Sequence, residues 1–431
     1  MPEGVYFSYL QLNGAFCFDQ EARIDFTDAG GKWKRWTVIL GDNGTGKTTL
    51  LKTLAGFEMA ASSLGDNKIG YSPIGFVNVD SNIDIIDSHT EVNVGLIGPG
   101  LSQDDSATLV IAAYENIGMS IHQNPEYSQL QCYGYGATRR MSQTAVGDSI
   151  GHSSQTLYDE STALINAEEW LLLLDYSSRV DSDVKQYAQR KKAQVEQLLI
   201  ELLPDVVEIS FLPPTKESMV PKLKCRTHFG WCSVHNLSLG YKTMIAWLVD
   251  FAYRMFERYP NAANPLAEPA IVLIDEIDLH LHPKWQRTIF DCLAKNFPKT
   301  QFIVTAHSPL IVQATPADAN LILLRKKVDH VEVDQDIRNV HSWRIDQILS
   351  SELFDIPSRN EDIERQMERR RVLVLKDALT IEEQAELAAL DKFLQSMPYA
   401  ESRTDIEARD IIRRAAEHYK NIGLTNDPDN G

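Results

Sequence analysis

Two short stretches carry residues whose types and spacing could do chemistry together. The first is Gly41-Asp42-Asn43-Gly44-Thr45-Gly46-Lys47-Thr48-Thr49, which directly follows the apolar run Trp36 to Leu40. Gly41 and Gly46, followed at once by Lys and Thr, fit the pattern of a phosphate-binding loop. Glycines let the backbone N–H groups of such a loop, those of Asn43 and Gly44 among them, curl around β- and γ-phosphates. The helix that follows adds its positive end, with Thr48 and Thr49 in its first turn. Lys47 would neutralise phosphate charge, and the Thr48 hydroxyl can ligate Mg²⁺. The second stretch is "AIVLIDEIDLHLHP", Ala270 to Pro283. Its apolar run ends in Asp275 and Glu276, two acids that repel each other and resist burial unless positive charge sits opposite. Taken alone this is equally an exposed strand end. With a phosphate loop upstream, Asp275 reads as the carboxylate that holds Mg²⁺ through its water shell. Glu276 then reads as the group that orients or deprotonates an attacking water.

Such groups must be carried by particular elements. Trp36 to Leu40 predicts a buried strand, and "TTLLKTLAGF" predicts a helix with Leu50, Leu51 and Leu54 on its apolar side. In "HNLSLGYKTMIAWLVDF", Ser238 occupies an N-cap position ahead of an almost wholly apolar helix. Gly240 keeps that helix start accessible, so that its N–H groups can point at a γ-phosphate. "KTQFIVTAHSPLIVQ" predicts a strand ending in Thr305, Ala306 and His307, with the histidine placed to sense the γ-phosphate and hold the water in line.

In their order, GDNGTGKTT, LSLGYK, IVLIDE and TAHS resemble the nucleotide-binding set of the ABC-type ATPases. "DEIDLHLHP" and "TAHSPLIVQ" resemble more narrowly the soluble branch that includes RecF, the SMC proteins and the overcoming-lysogeny nucleases. That resemblance implies ATP and Mg²⁺ as ligands. It makes Glu276 and His307 catalytic, Asp278 and Leu279 part of the D-loop, and Ser238 and Gly240 a signature motif that reaches the nucleotide of a second subunit. No glutamine stands where the family has its glutamine loop: Gln131 comes too early. "YGYGATRR" and the later "NAEEWLLLLDY" are similar to the Septu anti-phage ATPases and their retron-borne relatives, over roughly residues 1 to 355. Arg139 and Arg140 are therefore candidates for the glutamine-loop place, and equally a structural pair holding down a Gly-rich turn. The Septu resemblance implies a separate HNH-type nuclease partner, similar to PtuB.

The fold expected is α/β: an ABC-type ATPase head, with a phosphate-loop core sheet, an antiparallel β subdomain, a helical lobe and a C-terminal helical tail. Residues 1–150 would hold the first half of the ATPase core, with the phosphate loop and an inserted β region of runs such as "GFVNV", "IDII" and "TLVIAAY". Residues 151–237 would form the helical lobe and a basic strand, 238–345 the second half of the core, and 346–431 a helical interaction region ending in a disordered "LTNDPDNG". The lobe is too short for an SMC-like coiled-coil arm. In the basic strand, Lys222, Lys224, Arg226 and His228 alternate with Leu223, Cys225 and Thr227, so a period of two puts the basic groups on one face. That face would meet a phosphate backbone or an acidic partner, or it is an edge strand kept soluble by lysines. Glu368-Arg369-Arg370-Arg371 reads as a solvated helix face.

Composition bounds the function. The net charge of −18 excludes a protein coated in positive potential, so contact with DNA or RNA needs a local patch or a partner. The five cysteines form no CxxC pair, which points away from a zinc site or disulfide frame and towards a reducing cytoplasm. Neither a secretory leader nor an apolar run of membrane-spanning length stands out, so no membrane role is expected. The expected function is an ATP-binding and hydrolysing subunit of an anti-phage defence complex, a homo-oligomer that dimerises head-to-tail around ATP and gates the nuclease partner. The alternative is a stand-alone DNA-repair or DNA-end-binding ATPase of the RecF type.

Overall fold

A computed structural model describes residues 4–13, 17–18, 21–63, 90–99, 106–111, 130–146, 151–203, 205–212, 216, 222–335, 337, 340–355, 360–376 and 379–395. The runs "GFVNV" and "IDII", the end of "TLVIAAY" and the terminal "LTNDPDNG" lie outside these residues. Two compact units divide the chain, Met1–Ile356 and Pro357–Gly431.

The first unit opens with strands β1 (Tyr6–Asn13), β2 (Ala22–Asp25) and β3 (Trp36–Gly41), followed by helix α1 (Lys47–Ser63). Next come β4 (Thr90–Ile97), β5 (Ser106–Ile111) and β6 (Cys132–Tyr135). Helices α2 (Gln155–Tyr158), α3 (Ala167–Arg179) and α4 (Lys185–Leu202) precede β7 (Glu208–Leu212), β8 (Lys222–Thr227) and β9 (Gly230–Ser233). The second half holds α5 (Leu239–Arg258), β10 (Ala270–Ile274), α6 (Pro283–Gln286), α7 (Ile289–Asn296), β11 (Thr300–Thr305), α8 (Pro309–Ala314), β12 (Asn320–Lys326), β13 (Val331–Asp334) and α9 (Ile345–Leu349).

The central sheet has the order β13-β12-β3-β11-β10-β6. All its pairings are parallel except that of the edge strand β13, which runs antiparallel to β12. A parallel sheet covered on both faces needs strands that are apolar throughout. β10 meets that demand with five successive buried residues, its Ile, Val and Leu side chains each contributing about 1.5–3 kcal/mol when withdrawn from water. The period of two then sorts side chains between two cores. Trp36, Val38, Leu40, Val272, Ile274, Phe302 and Val304 face one core, with α3, α4, α5 and α7. Ile39, Ile271, Leu273, Ile303 and Ile322 face the other, with Leu50, Leu51 and Leu54 of α1. That second core is closed by an antiparallel sheet of order β2-β1-β4-β5.

α3 starts where Asn166 accepts the Glu169 N–H at 3.2 Å, with Glu168 and Glu169 favouring the positive end of the helix. α5 is sunk into the core: Met244 to Ala252 are buried without a break. Its Asp250 is fully buried but paired, with Arg254 Nε at 2.7 Å and the Tyr135 hydroxyl at 3.0 Å. The outer β7-β8-β9 sheet is antiparallel. On β8, Leu223 and Cys225 are buried while Lys222 and Arg226 are exposed.

In the second unit, α10 (Glu361–Val374) starts at the N-cap Asn360 and is followed by α11 (Ile381–Gln395). Arg369 of α10 grips the Glu386 carboxylate with two hydrogen bonds of 2.8 and 2.7 Å, and Arg370 pairs with Asp391. These two arginines of the basic run face the acids of α11.

Candidate nucleotide site

The sheet register decides where the chemistry sits. Ile274 is paired with both Tyr135 and Val304, and Thr305 with Ile39, so the carboxyl ends of β6, β10, β11 and β3 share one edge. Ligands of parallel α/β sheets bind at that edge. The loop after β3 and the acids after β10 are thereby neighbours, although more than two hundred residues separate Thr48 from Asp275 along the chain.

Gly41, Gly44 and Gly46 have φ of 147°, 80° and 85°, a backbone region costing other L-residues about 1–2 kcal/mol each. Space is short as well: a Cβ on Gly46 would stand 2.9 Å from Cys17 Sγ and 3.1 Å from the Phe18 ring. Asn43 and Gly44 form the exposed crest of the loop. Lys47 is buried and donates to the carbonyls of Gly41 and Asp42, each at 2.7 Å. Burial pulls its ammonium below the usual lysine range, against the opposing pull of Asp275, Glu276, Asp42 and Asp278. Thr48 and Thr49 are half-buried in the first turn of α1.

The Thr48 hydroxyl donates to Asp275 Oδ2 at 2.7 Å, and the other carboxylate oxygen accepts from the Thr305 hydroxyl at 2.6 Å. Thr305 Oγ1 in turn accepts the Glu276 N–H at 2.7 Å. These threonines satisfy a carboxylate that is only 6% exposed, and they tie β10 to α1 and β11. No group of three or more His, Cys, Asp or Glu side chains suited to a metal occurs among the described residues. A hydroxyl and one carboxylate beside a phosphate loop are nevertheless the donor set that suits Mg²⁺, which keeps several waters and takes the rest of its shell from phosphates. The residues present fit a nucleotide phosphate with Mg²⁺, toward which Thr48 and Asp275 would be the protein's donors.

Glu276 is half-buried and has φ of +48°, an uncommon conformation for a residue with a side chain. Two residues on, the half-buried Asp278 carboxylate accepts the His307 N–H at 3.2 and 3.3 Å, and burial raises its pKa above the ordinary range. This bond fixes the segment after the acids against the end of β11, where His307 sits half-buried. Gln286 anchors the same segment, donating to Leu281 O at 3.0 Å and accepting from the Ser308 hydroxyl at 2.6 Å.

Ser238 is the N-cap residue of α5; its side chain makes no capping bond and is exposed, as is Leu239 at 58%. Gly240 is buried, and a Cβ there would stand 2.3 Å from the His280 carbonyl oxygen, so only glycine lets α5 start against the 276–280 turn. The arginine pair divides. Arg140 is exposed and bonds the Ser161 carbonyl at 3.0 Å. Arg139 is buried and donates through Nη1 to Asp275 O at 2.7 Å and through Nη2 to Glu276 O at 2.9 Å.

The sequence shows Thr305 at a strand tip but not its bridge between Asp275 and Glu276. The roles of Gln286 and of Arg139 on two main-chain carbonyls are equally invisible there. The only signal for Thr305 is a hydroxyl just before Ala306-His307, on a strand otherwise apolar at its end.

Residues 140–313 match the family described as "AAA domain, putative AbiEii toxin, Type IV TA system". A Septu protein PtuA of Bacillus mycoides (strain KBAB4) is 26% identical over 359 residues, covering 82% of this chain and 45% of that protein. This chain thus spans less than half the length of that relative. The Retron Ec83 probable ATPase of Escherichia coli is 41% identical over 128 residues, 30% of this chain and 22% of that one. Among solved structures, the Smc head bound to the C-winged helix domain of ScpA aligns with a TM-score of 0.44 and 16% identity, over 76% of this chain and 97% of that chain. The chain is related to the Septu protein PtuA over most of its length and, over shorter stretches, to proteins named retron probable ATPases.

Proposed function

We propose that this chain binds and hydrolyses ATP as a subunit of a cytoplasmic anti-phage defence complex, closing head-to-tail with a second copy around ATP and gating a separate HNH-type nuclease. The observation that carries the reading is the hydrogen-bonded chain Thr48–Asp275–Thr305–Glu276, which joins the phosphate loop to the proposed base. Gly41, Asn43, Gly44, Gly46, Lys47, Thr48 and Thr49 would hold the phosphates, and bound Mg²⁺ would supply charge neutralisation there. Lys47 would exchange its two carbonyl bonds for phosphate oxygens. Glu276 would take the proton of the attacking water, and His307, fixed by Asp278, would hold that water in line. The main chain that carries Glu276 and His307 is hydrogen-bonded in place before reaction, which favours catalysis by positioning.

The dimer reading draws on the exposed Ser238 and Leu239 beside the buried Gly240, a helix start facing outwards. The defence role draws on the relatives named above. The test is the native mass of Glu276→Gln, co-expressed with a neighbouring nuclease gene, with and without ATP-Mg²⁺. Twice the 48.6 kDa chain mass with a nuclease-sized addition is expected with ATP, and a monomer that holds ATP would reject the dimer.

The RecF-type alternative draws on one observation. The register aligns Glu208, Arg226 and the half-exposed Trp231 across the outer sheet, with Lys222 and Lys224 on the same strand face and the fully exposed Phe229 at the turn. Basic and aromatic groups together suit single-stranded nucleic acid. Strong, salt-dependent DNA binding by the isolated chain would favour that reading over a partner-gating ATPase.

A further inference from the structure

A guanidinium buried inside a protein is costly unless its charge is used. Arg139 is 2% exposed and forms no ion pair within 4.0 Å with a carboxylate among the described residues. Both terminal nitrogens are committed to the successive carbonyls of Asp275 and Glu276, while Nε is buried without a hydrogen-bond partner. Those two carbonyls flank the Glu276 backbone, whose φ is +48°. Such a conformation persists only where surrounding contacts over-determine it. Here they come from two separate residues. Thr305 Oγ1 takes the Glu276 N–H, and the Arg139 fork takes the oxygens on either side.

We propose that Arg139 is a positioning residue for hydrolysis: its planar fork locks the main chain at Asp275–Glu276 in the left-handed turn from which the Glu276 carboxylate works. This rests on Glu276 being the base. It assigns Arg139 a place distinct from a nucleotide ligand, because its two terminal nitrogens are occupied by main-chain oxygen and its side chain is closed off from solvent. The fork also ties the base to the segment leading into the helical lobe. Leu164 N donates to Arg140 O at 2.7 Å, and Ser142 N to Leu164 O at 2.9 Å, so the residues around Arg139 are laced to the approach to α3. Burial lowers the Arg139 pKa to about 10, which leaves it protonated at neutral pH.

Lysine keeps the charge but cannot span two carbonyls with a rigid fork. Arg139→Lys and Arg139→Gln are therefore compared with the parent chain in single-turnover ATP hydrolysis and in titration with a fluorescent ATP analogue. The expected loss in rate is about 10²-fold, the effect of a small misplacement of a reacting group. ATP affinity is expected to stay within about threefold. In a Glu276→Gln background, Arg139→Lys should change the residual rate by less than about twofold, because both substitutions disable one unit. Hydrogen–deuterium exchange should rise at residues 275–279 and stay unchanged at 41–48. Multiplying losses in the double variant, or a large fall in ATP affinity, would overturn the proposal. So would loss of the cooperative thermal transition in both variants, which marks a residue needed for folding alone. Failure of the underlying reading looks different: Glu276→Gln by itself would then hydrolyse ATP at the parent rate, removing the base and with it the role of Arg139.

Discussion

The phosphate loop and the acidic turn solve the same backbone problem in opposite ways. Both need left-handed conformations: Gly41, Gly44 and Gly46 in the loop, Glu276 and His280 in the turn. In the loop, glycine removes the steric cost, and the proposed phosphate binding by main-chain N–H groups needs no side chain there. In the turn the proposed chemistry belongs to the Glu276 side chain, so glycine would not serve there. The cost is met by bracing from Thr305 and Arg139. Where function needs only backbone, the sequence declares it in glycines. Where function needs a side chain on a strained backbone, the support comes from distant residues.

A second arginine, half-buried, sharpens the contrast most strongly. Arg254 also lies beside β6, but its charge is matched by the fully buried Asp250. Arg254→Met should destabilise the chain by about 3–5 kcal/mol, since it leaves a buried carboxylate unpaired. Chemical denaturation measures this; a loss below about 1 kcal/mol would make the pair no more than a surface bridge. Arg139→Lys, by contrast, should act on rate. Next in size is Lys47→Ala. It removes the cation that closes the loop and should weaken ATP binding by about 10²-fold or more in a titration, as expected from losing charge-assisted hydrogen bonds. Unchanged affinity would mean that the loop binds no phosphate.

Gly46→Ala tests the loop's side of the comparison. A φ of +85° together with the Cys17 and Phe18 contacts predicts about 1–3 kcal/mol of lost stability or a distorted loop with weaker ATP binding. A neutral result would show that the loop relaxes freely. The smallest effect is expected at His280→Gly, an exposed residue with φ of +64° that has no bracing role. Relief of strain and extra freedom in the unfolded chain nearly cancel there, so the change in stability should lie within about 1 kcal/mol.

Much of this site is legible in the sequence for physical reasons. Gly41, Gly44 and Gly46 are demanded by dihedral angles, and the five-residue run of β10 by a sheet buried on both faces. Both requirements act on neighbouring positions, so a short string of letters records them. Ser238 at a helix start is read from the same local logic. Arg139 is not legible: it sits in the chain next to Arg140, yet one side chain turns inward and the other outward. Its partners are carbonyl oxygens more than a hundred residues away, and a carbonyl looks the same in every residue. The basic run of α10 shows the same limit. Its arginines read as a solvated face, and two of them pair with acids of α11 that no spacing rule connects to them.

Glu276, set on a braced left-handed turn beside the phosphate loop, is proposed here as the base for ATP hydrolysis. Single-turnover hydrolysis by the parent chain and by Glu276→Gln, at saturating ATP and Mg²⁺ with binding measured in parallel, tests it most directly. A rate lower by about 10²–10⁴-fold in Glu276→Gln, with ATP binding retained, is expected. An equal rate in the two proteins, with ATP bound in both, would contradict it.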